Sequence, residues 1–307
     1  MRLISRKRRE QATCFLYAFL SIAICYLGVD MGKSRPQSAS FAYLFTLLSV
    51  VAFASQAPQA LKIGTTLTIT DWGHWNIIRK GIEFRKITME RSESSATMEF
   101  KLLRFDSGLI VPRVLYADQF HLKGASAKTF AEKSGAIAAI NANYFDEKGR
   151  PLAYLKTAGK EVNSAVSKHA LYTGIFGIRE LVPFVAHRDN FQPAQASEAL
   201  QSGPLLLNKG AAEVLNGSAR YARRSVIGMD KEGRILIGVT DAVVGGLSFP
   251  ELQELFAGSN RRLDTTDLLN LDGGGSAQLY VKTGKFEEWL SGTSEVPVAI
   301  GFFAKPN

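Results

Sequence analysis

Leu268-Leu269-Asn270-Leu271-Asp272-Gly273-Gly274-Gly275-Ser276-Ala277-Gln278-Leu279-Tyr280 carries an apolar run straight into a carboxylate and three consecutive glycines. Leu268 to Leu271 is short, apolar and bounded by glycine, which fits a buried strand better than a helix. Asp272 then falls at the strand's end, and Ala277 to Val281 offers the next apolar segment. Glycines permit backbone conformations closed to other residues, so successive N–H groups can turn inward and another group can approach the chain closely. Two outcomes remain open. Gly273, Gly274, Gly275 and Ser276 surround a ligand at Asp272, or they form a tight turn that Asp272 caps.

Upstream, other strands end in polar groups. Ala136 to Ile140 reads as a buried strand delivering Asn141-Ala142-Asn143-Tyr144-Phe145-Asp146. Leu171 to Ile178 is a further strand, and Gln201-Ser202-Gly203-Pro204 turns into Leu205 to Leu207. Ser225 to Met229 and Arg234 to Val239 form a hairpin around Asp230-Lys231-Glu232-Gly233, the second strand ending in Thr240-Asp241. Met98, Phe100 and Leu102, alternating with Glu99 and Lys101, predict a strand with one exposed face. Glu295 to Phe303 closes the set as a mostly apolar strand.

Helices are few. Ser126 to Lys133 is short and stopped by Gly135, and Ser248-Phe249-Pro250-Glu251 is a capping box that starts a helix over 249–257. Residues 55 to 95, with Asp71-Trp72-Gly73-His74-Trp75, fit loop or strand equally. The expected class is α+β, with a mainly antiparallel or mixed sheet and a few short helices.

The chain is 46% hydrophobic and 21% charged over 307 residues, enough for a substantial core. Its net charge of +9 is concentrated at the start: residues 1–54 hold 7 Lys+Arg and 2 Asp+Glu, leaving 30 against 26 in the rest. With no basic run beyond that point, nucleic acid is not an expected partner.

Both cysteines, Cys14 and Cys25, lie in the first apolar run, so the remainder has no disulfide or thiol chemistry. Arg2, Arg6, Lys7, Arg8 and Arg9 precede an uncharged stretch, a marginal span over 1–30 or an upstream extension of the reading frame. Met31, Lys33 and Arg35, the apolar Phe41 to Phe53, and Ala52-Phe53-Ala54 have the three parts of a secretory signal peptide over 31–54. The mature chain is then expected to begin at Ser55, as a periplasmic or secreted protein. A two-span anchor, with membrane contact through the uncleaved N-terminus, fits the same residues. Residues 55–97 form the opening of the mature domain and 98–307 its main body.

If these strand ends converge, they place two carboxylates (Asp241 and Asp272), the Arg224 guanidinium and the Asn141 and Asn143 amides in one cleft. Such a set suits a sugar and a phosphate. Carboxylates serve as acid, base or nucleophile at an anomeric carbon, and arginine binds phosphate through paired donors. Each residue also has a structural reading: the asparagines as turn formers, Arg224 as an ion-pair partner of Asp241. His74, His121, His169 and His187 share no ligand spacing, and no HExxH, GxSxG or P-loop pattern occurs. No cofactor is expected and a divalent cation remains open.

Asn-Ala-Asn-Tyr-Phe-Asp at 141–146, Gln-Ser-Gly-Pro at 201–204, Arg-Ser-Val-Ile-Gly at 224–228, Gly-Leu-Ser-Phe-Pro-Glu-Leu at 246–252 and Asn-Leu-Asp-Gly-Gly-Gly-Ser at 270–276 occur in one order. In that order the chain resembles the phosphodiester glycosidase family over roughly residues 98–303. The family includes an enzyme that removes N-acetylglucosamine from a phosphodiester, and bacterial envelope proteins. The resemblance departs at Ala222-Arg223, where animal members tend to have His-Pro, and at Asn143, where many have glycine. It implies an α+β hydrolase of sugar-1-phosphodiesters; taken with the polar strand ends, Asp272 and Asp241 are the expected catalytic residues, and Asn141, Asn143, Arg224, Gly203, Gly273, Gly274, Gly275 and Ser276 the expected substrate-binding ones. The alternative is a non-catalytic envelope protein that binds glycans during exopolysaccharide assembly or export.

Overall fold

The computed structural model describes residues 61–306 apart from 64–65, 95, 216–219 and 258–262. The signal-peptide and anchor readings of 1–54 lie outside the described residues. Pro58–Asn307 is one compact unit. Among the described residues no helix is long and apolar enough to cross a membrane.

Numbered along the chain, the largest sheet contains β1 (Leu61–Ile63), β2 (Leu67–Asp71), β3 (Asn76–Arg79), β4 (Ile82–Arg91), β5 (Ala96–Phe105), β13 (Leu205–Asn208), β14 (Ala211–Ala212), β15 (Ser225–Asp230), β16 (Ile235–Asp241) and β17 (Thr265–Asn270). Its order is β1-β2-β4-β5-β16-β15-β17-β13-β14, with β3 on β4. The second sheet holds β8 (Leu155–Thr157), β9 (Lys160–Asn163), β10 (Gly174–Arg179), β11 (Val182–His187) and β12 (Glu198–Ser202), in the order β11-β10-β12-β8-β9. The third holds β6 (Ile110–Tyr116), β7 (Ala138–Asn141), β18 (Leu279–Thr283), β19 (Phe286–Leu290) and β20 (Val298–Ala304), in the order β19-β18-β7-β20-β6.

The α+β expectation is met in a sheet-dominated form. The three sheets are antiparallel, and the two described α-helices, α1 (Ala127–Ser134) and α2 (Phe249–Ala257), are short.

β17 shows why its sequence lacks alternation. Leu269 and Leu271 enter a core shared with β6, β7, β18 and β20 and with β8, β10 and β12, whereas Leu268 faces a second core under α2 with Leu252, Leu255 and Phe256. A strand covered on both faces reads as a continuous apolar run. The same layering corrects the expectation for β5. Leu103 and Phe105 face one core, Phe100 and Leu102 the other, and Lys101 is only 9% exposed. Its partners across β5 are carboxylates, because an ammonium buried there needs opposite charge.

Residues 61–94, open between loop and strand in the sequence, supply β1 to β4, and β4 pairs with β5 along its whole length. The Asp71-to-Trp75 stretch is the end of β2 and a turn through Gly73.

Both helices are bounded by the side chains their sequences provide. The Ser126 hydroxyl accepts the Thr129 N–H and Gly135 closes α1 at φ 75°. At α2 the Glu251 carboxylate accepts the Ser248 N–H at 2.8 Å and the Ser248 hydroxyl accepts the Glu251 N–H at 3.3 Å. Glu251 also pairs with buried Arg91 at 2.9 Å, so this cap locks the helix start to β4.

A candidate active site at the end of β17

Beyond β17 the chain leaves the large sheet and crosses to the third one. The Leu271 N–H donates to Ser225 O at 2.8 Å, and the Asp272 N–H donates to Ala142 O at 2.9 Å. Asp272 is thus set where the start of β15 and the end of β7 meet.

Asn141 holds that junction together. Its Nδ2 donates to Asp272 O at 2.7 Å, and its Oδ1 accepts from Ser225 Oγ at 2.7 Å and from the Gln278 N–H at 3.1 Å. Fully buried and saturated in this way, Asn141 fixes the backbone of the site. Asn143, two residues on, is the opposite case. It is 2% exposed, and neither Oδ1 nor Nδ2 has a hydrogen-bond partner among the described residues. Buried amides are normally paired, so Asn143, and Asn270 through its unpartnered Oδ1, keep hydrogen-bonding capacity open to a ligand.

The glycine run is packed on both sides. A Cβ at Gly273 would stand 2.7 Å from Arg223 O, and one at Gly275 would stand 2.6 Å from Thr293 Oγ1. Gly274, at φ 59°, donates its N–H to Arg223 O at 2.8 Å, and the Ser276 N–H donates to Gly273 O at 3.1 Å. The Gly273 N–H reaches Asp272 Oδ1 at 2.9 Å. These three N–H groups therefore shape and orient the turn, and that of Gly273 steadies the carboxylate itself. Gly203 has a similar close-approach role: a Cβ would meet Leu171 O at 1.9 Å, and Gly203 O accepts from Tyr144 Oη and Asn270 Nδ2.

Asp272 is titrated by its surroundings. Burial pushes its carboxyl up to about 6, against the opposing pull of the Ser276 hydroxyl and the Gly273 N–H. Tyr144 lies between the charges. Its phenol is raised by burial and by Asp272 and lowered by Arg224, and its hydroxyl accepts from Asn270 Nδ2 at 3.0 Å. Tyr172 is also raised by burial and by Asp272; its ring stands 5.4 Å from that of Tyr144 and 5.0 Å from that of His169.

Arg224 is 8% exposed, and burial draws its pKa down. Its Nε donates to Leu247 O at 2.8 Å, its Nη2 to Arg220 O at 2.6 Å, and its guanidinium lies 4.1 Å from the Phe249 ring centroid. Tyr144 and Arg224 both line a cavity of about 590 Å3. Asp272 is not among its lining residues, though its charge is felt by Tyr144.

Asp241 is held elsewhere. Its carboxylate sits 2.7 Å from Lys101 Nζ, which also pairs with Glu288 at 2.9 Å. The arginine whose charge responds to Asp241 is Arg223, whose Nη2 donates to Ala277 O and Ser291 O. An ion pair between Arg224 and Asp241, open in the sequence, gives way to these contacts.

The structure thus sets Asp272 and the glycine turn against the backbone of Arg223 and Arg224, leaves Asn143 buried one residue past the Ala142 carbonyl that takes the Asp272 N–H, ties the junction through Asn141, and engages Asp241 in the Lys101 cluster. Tyr144 and Asn270 were inside quoted motifs without being singled out. Tyr172 and His169 had no local signal at all, since only the fold brings their loop against Tyr144.

With this geometry in place, the comparisons are informative. Residues 134–303, more than half of the chain, match the model of the phosphodiester glycosidase family, and the chain belongs to that family. The activity of its class is hydrolysis of a glycosidic bond. No curated protein matches the sequence significantly.

The catalytic domain of zebrafish N-acetylglucosamine-1-phosphodiester alpha-N-acetylglucosaminidase, auto-inhibited by its pro-peptide, superposes with a TM-score of 0.56 at 16% identity, over 77% of this chain and 88% of that one. A hypothetical protein from Synechocystis gives 0.55 at 15%, over 81% of this chain and 64% of that one. At these identities the likeness is one of fold.

Proposed function

We propose that this protein is an exported hydrolase that cleaves the sugar–phosphate bond of a sugar-1-phosphodiester. The observation that carries the reading is the buried Asp272 carboxyl, pushed up to about 6, at a glycine turn that packs against the backbone of Arg223 and the buried Arg224. A general base or nucleophile works best when its pKa lies near the working pH. In its ionised form Asp272 either takes a proton from an attacking water or itself attacks the anomeric carbon, and the C1–O bond breaks with its electron pair leaving on the phosphate; in the second case water then attacks C1 of the glycosyl ester, releasing the sugar and restoring the carboxylate.

A phosphate monoester is a stable anion and needs no proton to depart. Arg224, able to offer a phosphate further N–H donors beyond the two on backbone carbonyls, stands in for the second carboxylate of an ordinary glycosidase. That is why Asp241 can remain with Lys101. Asn143 is assigned to the sugar or phosphate oxygens.

The relative's name supplies the first substrate to try, a diester of N-acetylglucosamine 1-phosphate. Release of free sugar by the wild type, with and without chelator, and its loss in Asp272→Asn supports the reading. Binding of the diester without turnover would instead favour a glycan-binding envelope protein. Export is supported by the basic, apolar and Ala52-Phe53-Ala54 segments, so N-terminal sequencing from the native cell should begin at Ser55. A chain still carrying Cys14 and Cys25 would sink that part.

A further inference from the structure

The cavity beside Tyr144 and Arg224 is far larger than a phosphate requires, and its wall says what fills the remainder. Its volume of about 590 Å3 is that of a pocket for an organic ligand. Leu171, Val214, Leu215, Phe249 and Pro250 form much of the lining.

Three polar side chains on the same wall, other than Tyr144, Arg220 and Arg224, bond to their own chain. Glu213 Oε1 accepts from Asn208 Nδ2 at 2.8 Å, Thr173 Oγ1 accepts the Leu205 N–H at 2.8 Å, and His187 Nδ1 accepts the Asp189 N–H at 3.3 Å. A second sugar would need hydroxyl-reading groups along this wall, because buried hydroxyls without partners are costly. An alkyl chain needs none.

At the rim, Val214 is 89% exposed although it is one of the lining residues, so hydrocarbon entering the cavity covers apolar surface that now faces water.

We propose that this cavity receives an apolar aglycone, an alkyl or prenyl chain esterified to the phosphate held by Arg224, so that the substrate is an amphiphilic sugar-1-phosphodiester. The inference rests on the assignment of Arg224 to phosphate above. It adds that the leaving group is recognised by burial of hydrocarbon rather than by hydrogen bonds.

The test uses the full chain and two series of probes. Methyl, hexyl and decyl phosphate, below their aggregation concentrations, are titrated calorimetrically. Affinity should rise by about fourfold per methylene until the cavity is filled. Val214→Asn, a neutral polar change at an exposed position, should remove about tenfold or more from decyl phosphate and change methyl phosphate much less. Affinity that is flat with chain length, or a chain-length effect untouched by Val214→Asn, overturns the proposal.

The methyl and decyl diesters of N-acetylglucosamine 1-phosphate are then compared for hydrolysis. A higher kcat/KM for the decyl ester is expected. Hydrolysis of both at equal kcat/KM would remove the aglycone site and leave the hydrolase; chain-length-dependent binding with no hydrolysis of either would remove the hydrolase and leave the site.

Discussion

Replacing Asp272 by asparagine separates chemistry from architecture, because stability and turnover should move in opposite directions. The carboxyl titrates at about 6 in the folded protein against an ordinary 3.8, and burial is the main cause. A shift of that size corresponds to about 3 kcal/mol of differential interaction between the protonated and ionised forms.

The sign follows from linkage. The folded state holds the proton more tightly than the unfolded one, so the contribution is fully present below about pH 4 and is lost as pH rises through about 6. Asparagine keeps the size and an oxygen for the Gly273 N–H, which reaches Asp272 Oδ1 at 2.9 Å, but has no charge to desolvate.

Urea denaturation at pH 4 and pH 8 should therefore find the two proteins similar in acid. At pH 8 the variant should be more stable by up to about 3 kcal/mol. At pH 8, where the wild-type carboxylate is ionised, turnover of the variant should be lower by roughly two orders of magnitude or more. In the wild type, kcat/KM should rise with pH through an apparent pKa of about 6, since the ionised carboxylate is the active form. A variant that turns over like the wild type, and is less stable with no dependence on pH, would show that Asp272 only caps the glycine turn and would refute the reasoning.

Arg224→Lys should weaken binding of the anionic diester by about tenfold or more while sparing the neutral sugar product, because lysine cannot reproduce the paired donors; equal losses for both, measured by calorimetry, would make the arginine structural. Asp241→Asn should leave turnover close to wild type, since Lys101 keeps Glu288 at 2.9 Å, whereas a collapse in kcat would return the second carboxylate to the mechanism. Asn141→Ala strands Asp272 O, Ser225 Oγ and the Gln278 N–H. It should cost about 3 kcal/mol or more in denaturant titration, and an unchanged midpoint would contradict the role of Asn141 as the tie at the strand junction.

Local patterns were enough to read the strand into Asp272, the hairpin between β15 and β16, and both helix starts. In each case the physical cause lies within a few residues: glycine for a left-handed turn, serine and glutamate for a cap, an apolar run for burial. The ordered motifs were also enough for the family. Three things needed the tertiary structure. Asn141 and Asn143 are the same residue type two positions apart, yet the side chain of one is bonded to three groups and that of the other is unpartnered, and no local rule distinguishes them. Lys101 reads as the exposed member of an alternating strand, but it is buried because β19 brings Glu288 against it and β16 brings Asp241, so a presumed catalytic carboxylate is taken into an ion-pair cluster. The titration of Asp272 and the identity of Tyr144 as its neighbour depend on burial and on which strand ends converge. Those are properties of long-range packing, set by contacts between residues more than a hundred positions apart in the chain, such as Asn141 with Asp272 and Tyr144 with Asn270.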